Sequence, residues 1–378
     1  MAESLPASTT VALTPMRVGV EATKLLQEKR GIGRYVRNVL RHMVALRADL
    51  ELTLFIRTLQ DADALRAQLQ DFDAPLAARA TFAAIDALPT STVDVVWYPW
   101  NWLHPRPRHA AAVTTICDLV PMLQLDHRWW KVIKRWKYRR RFLRTVHHSD
   151  VVIAISAFTA REIERCLHYP AGNVVVTLLA ADDLAEHHGT DDSATLDRLT
   201  IDGPFFMAVG AHEARKNLQV LFRAMALLHN RGVNAPLVLC GPGAALARIA
   251  KQVQAPWLRF AGFVPDAELG TLYRRATALV FPSRYEGFGL PALEALASGG
   301  RVICADESSL PEVVGTAALR FPWNDADTLA QHMERLVTNA PLREEMVVRG
   351  LQHASQFTWE RTAAETLAAF DRAVRQRR

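Results

Sequence analysis

Glu286 and Glu294 enclose the run Gly287-Phe288-Gly289-Leu290-Pro291-Ala292-Leu293, and those seven residues decide what the two carboxylates could do. An apolar run, Ala278-Leu279-Val280-Phe281, and a Pro282-Ser283 break come first. The segment therefore reads as a strand end, a glycine loop and a helix that starts near Gly289. Unpaired N–H groups at a helix N-terminus make a ready site for phosphate. Glu286 falls in the loop and Glu294 about one turn into the helix, so a carboxylate stands on each side of an anion site, where it can accept hydrogen bonds from sugar hydroxyls. A plain glycine turn with a helix-capping glutamate would need few of the other residue choices in this run. The second candidate is Arg215-Lys216, in the stretch from Gly210 to Asn217 that follows the strand-like Phe205–Val209. Loops at the carboxyl ends of parallel strands are where ligands bind in such sheets. Two cations there meet an anionic group with strong, charge-assisted hydrogen bonds that tighten as negative charge develops. Left in solvent at a helix start, the same cations would oppose the helix dipole.

These residues need rigid elements behind them, and the chain has room for two sets. Its 378 residues exceed what one hydrophobic core usually serves, so two domains are expected. Half of the residues are hydrophobic and 22% are charged, a globular balance that argues against disorder. Strand-like and helix-like segments alternate, which predicts parallel sheets flanked by helices. The first half offers strands at Arg17–Ala22, Glu51–Ile56, Val93–Tyr98, Ala112–Cys117, Val151–Ile155 and Val174–Leu178, with helices such as Arg34–Leu46 and Phe158–Leu167 between them. The aperiodic polar stretch Asp182–Asp202 reads as a linker. Strands resume at Phe205–Val209, Leu237–Cys240, Leu258–Ala261, Ala278–Phe281, Arg301–Ala305 and Ala318–Phe321. The fold class is α/β: two Rossmann-like domains facing each other across a cleft.

Four cysteines, Cys117, Cys166, Cys240 and Cys304, lie far apart without metal-ligand spacing. No apolar stretch approaches the roughly 18 residues of a membrane span. Met1 to Thr14 lacks the features of a signal peptide and reads as a short disordered lead. The cytoplasm is the consistent compartment. The formal charge of +6 is concentrated: the segment 128–148 holds nine Lys or Arg and no acid, and without it 36 basic residues face 39 acidic ones, a net of −3. On a helix, Trp129, Val132, Ile133, Trp136 and Leu143 fall on one arc and the cations cover most of the rest. That pattern favours an anchor at an anionic membrane surface over a core helix with a solvated face. Nothing in it supports sequence-specific nucleic-acid reading.

The stretch from Phe281 through Glu294 resembles the signature of glycosyltransferase family 4, whose members are retaining, nucleotide-sugar-dependent enzymes of the GT-B fold. The likeness continues through Ser309-Leu310-Pro311-Glu312-Val313-Val314-Gly315 and back to Gly210-Ala211-His212-Glu213-Ala214-Arg215-Lys216-Asn217-Leu218. It implies a nucleotide-binding role for the loop opening at Gly210, with Arg215 and Lys216 on the pyrophosphate, Glu294 on the ribose hydroxyls and Glu286 on the transferred sugar. Main-chain amides of Phe288, Gly289 and Leu290 would touch sugar and phosphate. The loop Gly262-Phe263-Val264-Pro265-Asp266 would lie near the nucleobase, through Val264; its residue types place Asp266 at a helix N-cap. In the first half, Gly31-Ile32-Gly33-Arg34-Tyr35 is similar to a segment of family members that assemble O-antigen or exopolysaccharide, often from GDP-mannose. Val36 stands where a dinucleotide fingerprint has its third glycine, so Gly31 and Gly33 are candidates for holding the diphosphate or the acceptor, or for a plain turn.

Many relatives have His-Asp where this chain has Cys117-Asp118. This chain thus has no imidazole at that position, and Asp118 could bind a sugar or acceptor hydroxyl or simply cap a strand end. The aromatic run Trp97-Tyr98-Pro99-Trp100-Asn101-Trp102 suits either a core or sugar rings. The resemblance implies three parts: residues 1–190 as an acceptor domain, 191–357 as a nucleotide-sugar domain, and 358–378 as a helix crossing back to the first. The expected reaction moves a hexose, with mannose from GDP-mannose as the leading donor and UDP- or dTDP-sugars as alternatives. The expected acceptor is lipid-linked or an oligosaccharide, and no metal or other cofactor is expected. A non-catalytic nucleotide-sugar-binding scaffold is the competing class.

Overall fold

The computed structural model describes residues 15–123, 129–182, 193–210 and 213–377. Two parallel sheets form its centre. The first has seven strands in the order β3-β2-β1-β4-β5-β6-β7, and the second has six in the order β10-β9-β8-β11-β12-β13. In the first sheet the strands are β1 (Arg17–Glu21), β2 (Glu51–Ile56), β3 (Ala80–Ala84), β4 (Val95–Tyr98), β5 (Ala111–Ile116), β6 (Val151–Ala154) and β7 (Val174–Val176). The second contains β8 (Phe206–Val209), β9 (Leu237–Cys240), β10 (Leu258–Gly262), β11 (Ala278–Phe281), β12 (Val302–Ala305) and β13 (Leu319–Phe321). Every residue of β4, β5, β6, β9, β11 and β12 is buried, as expected of central strands covered by helices on both faces. In each sheet the strand order reverses next to the first strand, at β1/β4 and at β8/β11. Crevices at such reversals, at the carboxyl ends of the strands, are where α/β sheets bind ligands.

The expected strands are all present, shortened by a residue or two at several ends. One strand was not foreseen. β3 reads Ala-Thr-Phe-Ala-Ala, poor in β-branched residues, and it forms an edge held by its full register with β2. In the expected linker, residues 193–198 form a helix, and 183–192 lie outside the described residues, as does the expected lead at 1–14. The predicted N-cap at Asp266 is corrected: Pro265 holds the cap position, and the Asp266 carboxylate turns instead to Arg30 at 2.7 Å.

The helix Trp359–Arg377 returns to the first sheet and packs on the helix Ile32–Leu46. Its Trp359 and Phe370 rings close a cluster around Tyr35 and Trp97, all four fully buried. The return is tied where the chain leaves the first sheet. Trp359 donates its N–H to Asp182 at 3.3 Å, and the Thr362 hydroxyl bonds the Leu178 carbonyl. The four cysteines are free thiols. Cys240 and Cys304 lie in the core, where burial pushes each thiol up to about 12.

Candidate active site

Arg215 and Lys216 are held at the carboxyl edge of the second sheet by a short turn. The 3-10 turn Ala214–Lys216 ends at Asn217 in the left-handed region (φ 53°), and the Asn217 amide donates to the carbonyls of Pro282 and Trp323. That clamp ties the end of β8 to the loop after β11. The Arg284 N–H completes it by donating to the Arg215 carbonyl at 2.8 Å. Lys216 lies 4.7 Å from the centre of the Phe281 ring, and its Nζ reaches Glu286 Oε1 at 2.8 Å. Arg215 binds Glu286 Oε2 at 2.6 Å and Glu213 at 2.8 Å. Burial alone would lower the Arg215 guanidinium, but Glu286 and Glu213 outweigh it and hold it above its ordinary value. Gly210 turns with φ 71° beside the Lys216 chain.

Both carboxylate oxygens of Glu286 are thus occupied by cations, and its backbone is fixed as well. Its N–H donates to Ser308 Oγ, while the Ser309 hydroxyl bridges the carbonyls of Glu286 and Phe288. Phe288 is buried against Phe357, and the helix Leu290–Ala297 follows at once. Gly289 opens that helix at φ 101°, and a Cβ there would stand 2.6 Å from Leu310. Glu294 lies one turn in, where it accepts from the Tyr273 hydroxyl at 3.1 Å and from Arg34 of the opposite domain. Burial, then the Glu294 charge, holds the Tyr273 phenol well above its ordinary value.

The first sheet meets this shelf mainly through backbone. A Cβ on Gly287 would stand 1.9 Å from the Cys117 carbonyl, so glycine lets the two domains touch. The Gly287 carbonyl accepts from the Ser156 and Thr159 hydroxyls at 2.6 and 3.1 Å. Glu312 reaches across to the first amides of the helix Ala157–Leu167, accepting from Ala157 at 2.7 Å and Phe158 at 3.0 Å. Asp118 accepts from the Val120 N–H at 2.9 Å, so it does cap the strand end. Burial raises its carboxyl, with Arg215 opposing and Glu286 adding to the rise, which puts it in electrostatic reach of the shelf. Burial pushes the Cys117 thiol far up, so it stays a neutral group.

Gly31 opens the helix Ile32–Leu46 at φ 56° with nothing near its missing Cβ, whereas a Cβ on Gly33 would stand 1.7 Å from the Glu28 carbonyl. Gly33 is therefore a packing requirement and Gly31 a conformational one. Val264 is buried, and its carbonyl accepts from Arg30. Among the expected site residues, Arg215, Lys216 and Glu286 form one charged cluster with Asp118 in electrostatic reach. Glu294 stands a turn further along, Gly31 caps and Gly33 lies in the first turn of the helix Ile32–Leu46, and Val264 lies on a loop that Arg30 bridges. Ser308, Ser309, Glu312, Glu213 and Arg34 were not singled out as site residues; all but Ser308 fall in the segments that carry the resemblance, and nothing in the sequence hinted at Ser308. Trp97 and Trp100 belong to the core, and Trp102 is half-buried under Arg141. Among the described residues no group of three or more His, Cys, Asp or Glu could hold a metal ion.

Residues 198–353 match the family model described as Glycosyl transferases group 1, and residues 29–182 match Glycosyltransferase Family 4. The O-antigen chain mannosyltransferase B of Escherichia coli is 32% identical over 300 residues, covering 72% of this chain and 78% of that protein. The chain belongs to glycosyltransferase family 4. It is a nucleotide-sugar-dependent hexosyltransferase. The transferase is also 27% identical over 272 residues to the serotype-specific mannosyltransferase WbdA of Escherichia coli, covering 68% of this chain but a third of that longer protein. Among solved structures, sucrose-phosphate synthase of Thermosynechococcus elongatus superposes with a TM-score of 0.72 at 18% identity, covering 94% of the transferase and 98% of that chain. Anabaena HepE, solved with UDP and glucose, gives 0.67 at 14% identity, covering 94% and 99%. These two likenesses concern the fold, which is GT-B.

Proposed function

We propose that the protein is a retaining mannosyltransferase that moves mannose from GDP-mannose to a lipid-linked or oligosaccharide acceptor during cell-envelope polysaccharide synthesis. The observation that carries this reading is the Arg215–Glu286–Lys216 cluster at the carboxyl edge of the second sheet, 2.6 and 2.8 Å across its two ion pairs. The sugar and its use rest on the O-antigen mannosyltransferase relatives. Arg215 and Lys216 take the charge of the departing diphosphate, together with the amides of Phe288, Gly289 and Leu290. Charge that is fixed in advance stabilises a leaving group without reorganisation at the moment of reaction. Glu286 has both oxygens bound by cations, which suits it to orient the sugar hydroxyls and not to remove a proton. The acceptor attacks from the face the nucleotide leaves, and no protein nucleophile is required. Glu294 holds the ribose, Val264 borders the base, and Asp118 meets the sugar or the acceptor hydroxyl. The reaction runs without a metal.

The acceptor's lipid is met at an anionic membrane surface, on the cytoplasmic side, through residues 128–148. The helix Trp129–His148 leaves Ile133 and Trp136 52% and 56% exposed amid Lys134, Lys137, Arg139, Arg140 and Arg144. Apolar tips within a cationic face are what an interfacial anchor requires. Among the described residues no helix is long and apolar enough to cross a membrane. The test is nucleotide release from a panel of GDP-, UDP- and dTDP-sugars with a membrane lipid extract and EDTA. Release from GDP-mannose that depends on extract and is lost in Glu286→Ala is the expected result. Release from a UDP- or dTDP-sugar alone overturns the donor, and donor binding without release from any of them favours a non-catalytic scaffold.

A further inference from the structure

Ser308 adopts a backbone that disfavours serine. It follows β12 and closes no helix, yet its φ is 56°. Ser309 comes next at φ −83° and ψ −10°, and the Leu310 N–H donates to the Glu307 carbonyl at 3.1 Å. The two serines are therefore the centre of a tight turn in which only the first has positive φ. That is the pattern of a type II′ turn, whose first central position glycine fills without steric cost. For the backbone alone, glycine would serve here. What serine adds is one hydroxyl, and its oxygen accepts from the Glu286 N–H at 3.0 Å.

The neighbours of Ser308 hold the turn in that shape. Ser309 is fully buried and donates to the carbonyls of Glu286 and Phe288 at 3.0 and 2.7 Å. Leu310 is fully buried too, and lies against Gly289. Glu312 takes the N–H groups of Ala157 and Phe158, one on each carboxylate oxygen. The turn cannot relax without disturbing these contacts, which is the condition under which a costly backbone persists. Glu286 is consequently fixed at both ends of its own main chain, its N–H by Ser308 and its carbonyl by Ser309. Its carboxylate, at the far end, meets Arg215 and Lys216.

We propose that Ser308 is a positioning residue of the transferase: its hydroxyl sets the direction in which Glu286 presents its carboxylate to the transferred sugar, and the chain keeps a strained turn for that bond. The proposal rests on the sugar role assigned to Glu286 above. Ser308 acts through Glu286, so its loss should slow the chemical step more than it weakens donor binding. It also separates two properties that a merely structural residue would move together. Turnover follows the hydroxyl, whereas stability follows the backbone.

Ser308→Gly, Ser308→Ala and Ser308→Thr in the full chain test this, by thermal melting and by nucleotide release from GDP-mannose, or from whichever UDP- or dTDP-sugar the panel above selects. Glycine and alanine both lack the hydroxyl, so both should lower kcat about tenfold, with the donor KM nearly unchanged. Glycine accepts positive φ and alanine does not, so Ser308→Gly should melt above Ser308→Ala. Threonine keeps the hydroxyl but is β-branched, so Ser308→Thr should melt below wild type and still turn over faster than either. Turnover that follows melting temperature across the three variants would make Ser308 a structural support and overturn the proposal. Wild-type kcat in Ser308→Gly or Ser308→Ala would overturn it too, as would Ser308→Gly melting no higher than Ser308→Ala. If Ser308→Ala or Ser308→Thr does not fold, the kcat of Ser308→Gly against wild type still decides. A wild type that releases nucleotide from no sugar of the panel overturns the reading of Glu286 and the proposal with it, a result distinct from active variants.

Discussion

The C-terminal edge of the cleft presents side chains already paired by charge: Arg215 and Lys216 on Glu286, with Tyr273 on Glu294. The N-terminal edge presents mostly main chain: the Cys117 carbonyl against Gly287, the Gly31 turn, and the amides of Ala157 and Phe158 on Glu312. The difference follows from what each edge must do. Charge that develops in a leaving group needs fixed, oriented ions, whereas holding two domains in register needs close approach and backbone hydrogen bonds. Substitutions should therefore act through electrostatics on one edge and through shape on the other.

The sharpest way to break that contrast is Glu286→Gln, which keeps the shape and removes the charge. Turnover should fall about 100- to 1000-fold with the circular dichroism spectrum unchanged. Normal turnover would show that charge at this position is dispensable. On the opposite side of the comparison, Gly287→Ala adds no charge but drives a methyl group toward the Cys117 carbonyl, 1.9 Å away. A displacement of about 1 Å at the cleft predicts roughly 100-fold slower transfer, with nucleotide affinity nearly preserved. Equal loss of nucleotide binding would mean that Gly287 serves the donor and not the domain contact. Away from both edges, Trp136→Ser should weaken sedimentation with anionic vesicles about tenfold, since one exposed aromatic side chain is lost from the membrane contact. Unchanged sedimentation would remove Trp136 from the membrane contact.

The smallest effect is expected at Asp118, where the two edges meet. Burial raises its carboxyl, so the ionised form costs the folded state stability at any pH above its folded value. That cost disappears as pH falls through the folded value toward the ordinary one. Asp118→Asn should thus melt slightly higher than wild type at pH 8, with the gain gone below about pH 4. A gain that persists in acid would point to packing and not to charge.

The same contrast explains what could be read in advance. Arg215, Lys216, Glu286 and Glu294 act through their side chains, and residue types at those spacings announce their chemistry. The strands were legible because buried parallel strands are short apolar runs between turns. β3 was not, because Ala80-Thr81-Phe82-Ala83-Ala84 owes its conformation to pairing with β2. Arg34, Glu312, Ser308 and Ser309 were not picked out because their partners lie about twenty to 260 residues away, and no local pattern encodes such contacts. Gly287 was noted for its loop, yet its reason is a carbonyl from the other domain. In the basic helix the expected apolar arc is only partly realised. Ile133 and Trp136 are exposed and Leu143 is half-buried, while Phe142 and Val146, spaced four residues apart, enter the core. Trp129 and Val132 lie in a stretch whose side chains are outside the described residues.

The returning helix Trp359–Arg377 has a consequence for how the chain matures. It covers the helix Ile32–Leu46 and supplies Trp359 and Phe370 to the cluster around Tyr35 and Trp97. During synthesis the first sheet emerges early, yet its apolar surface stays open until residues beyond 358 have left the ribosome. The second sheet draws its strands from one continuous stretch and can close sooner. At roughly 5 to 20 residues per second, that leaves many seconds in which the N-terminal half is exposed to aggregation or to chaperones.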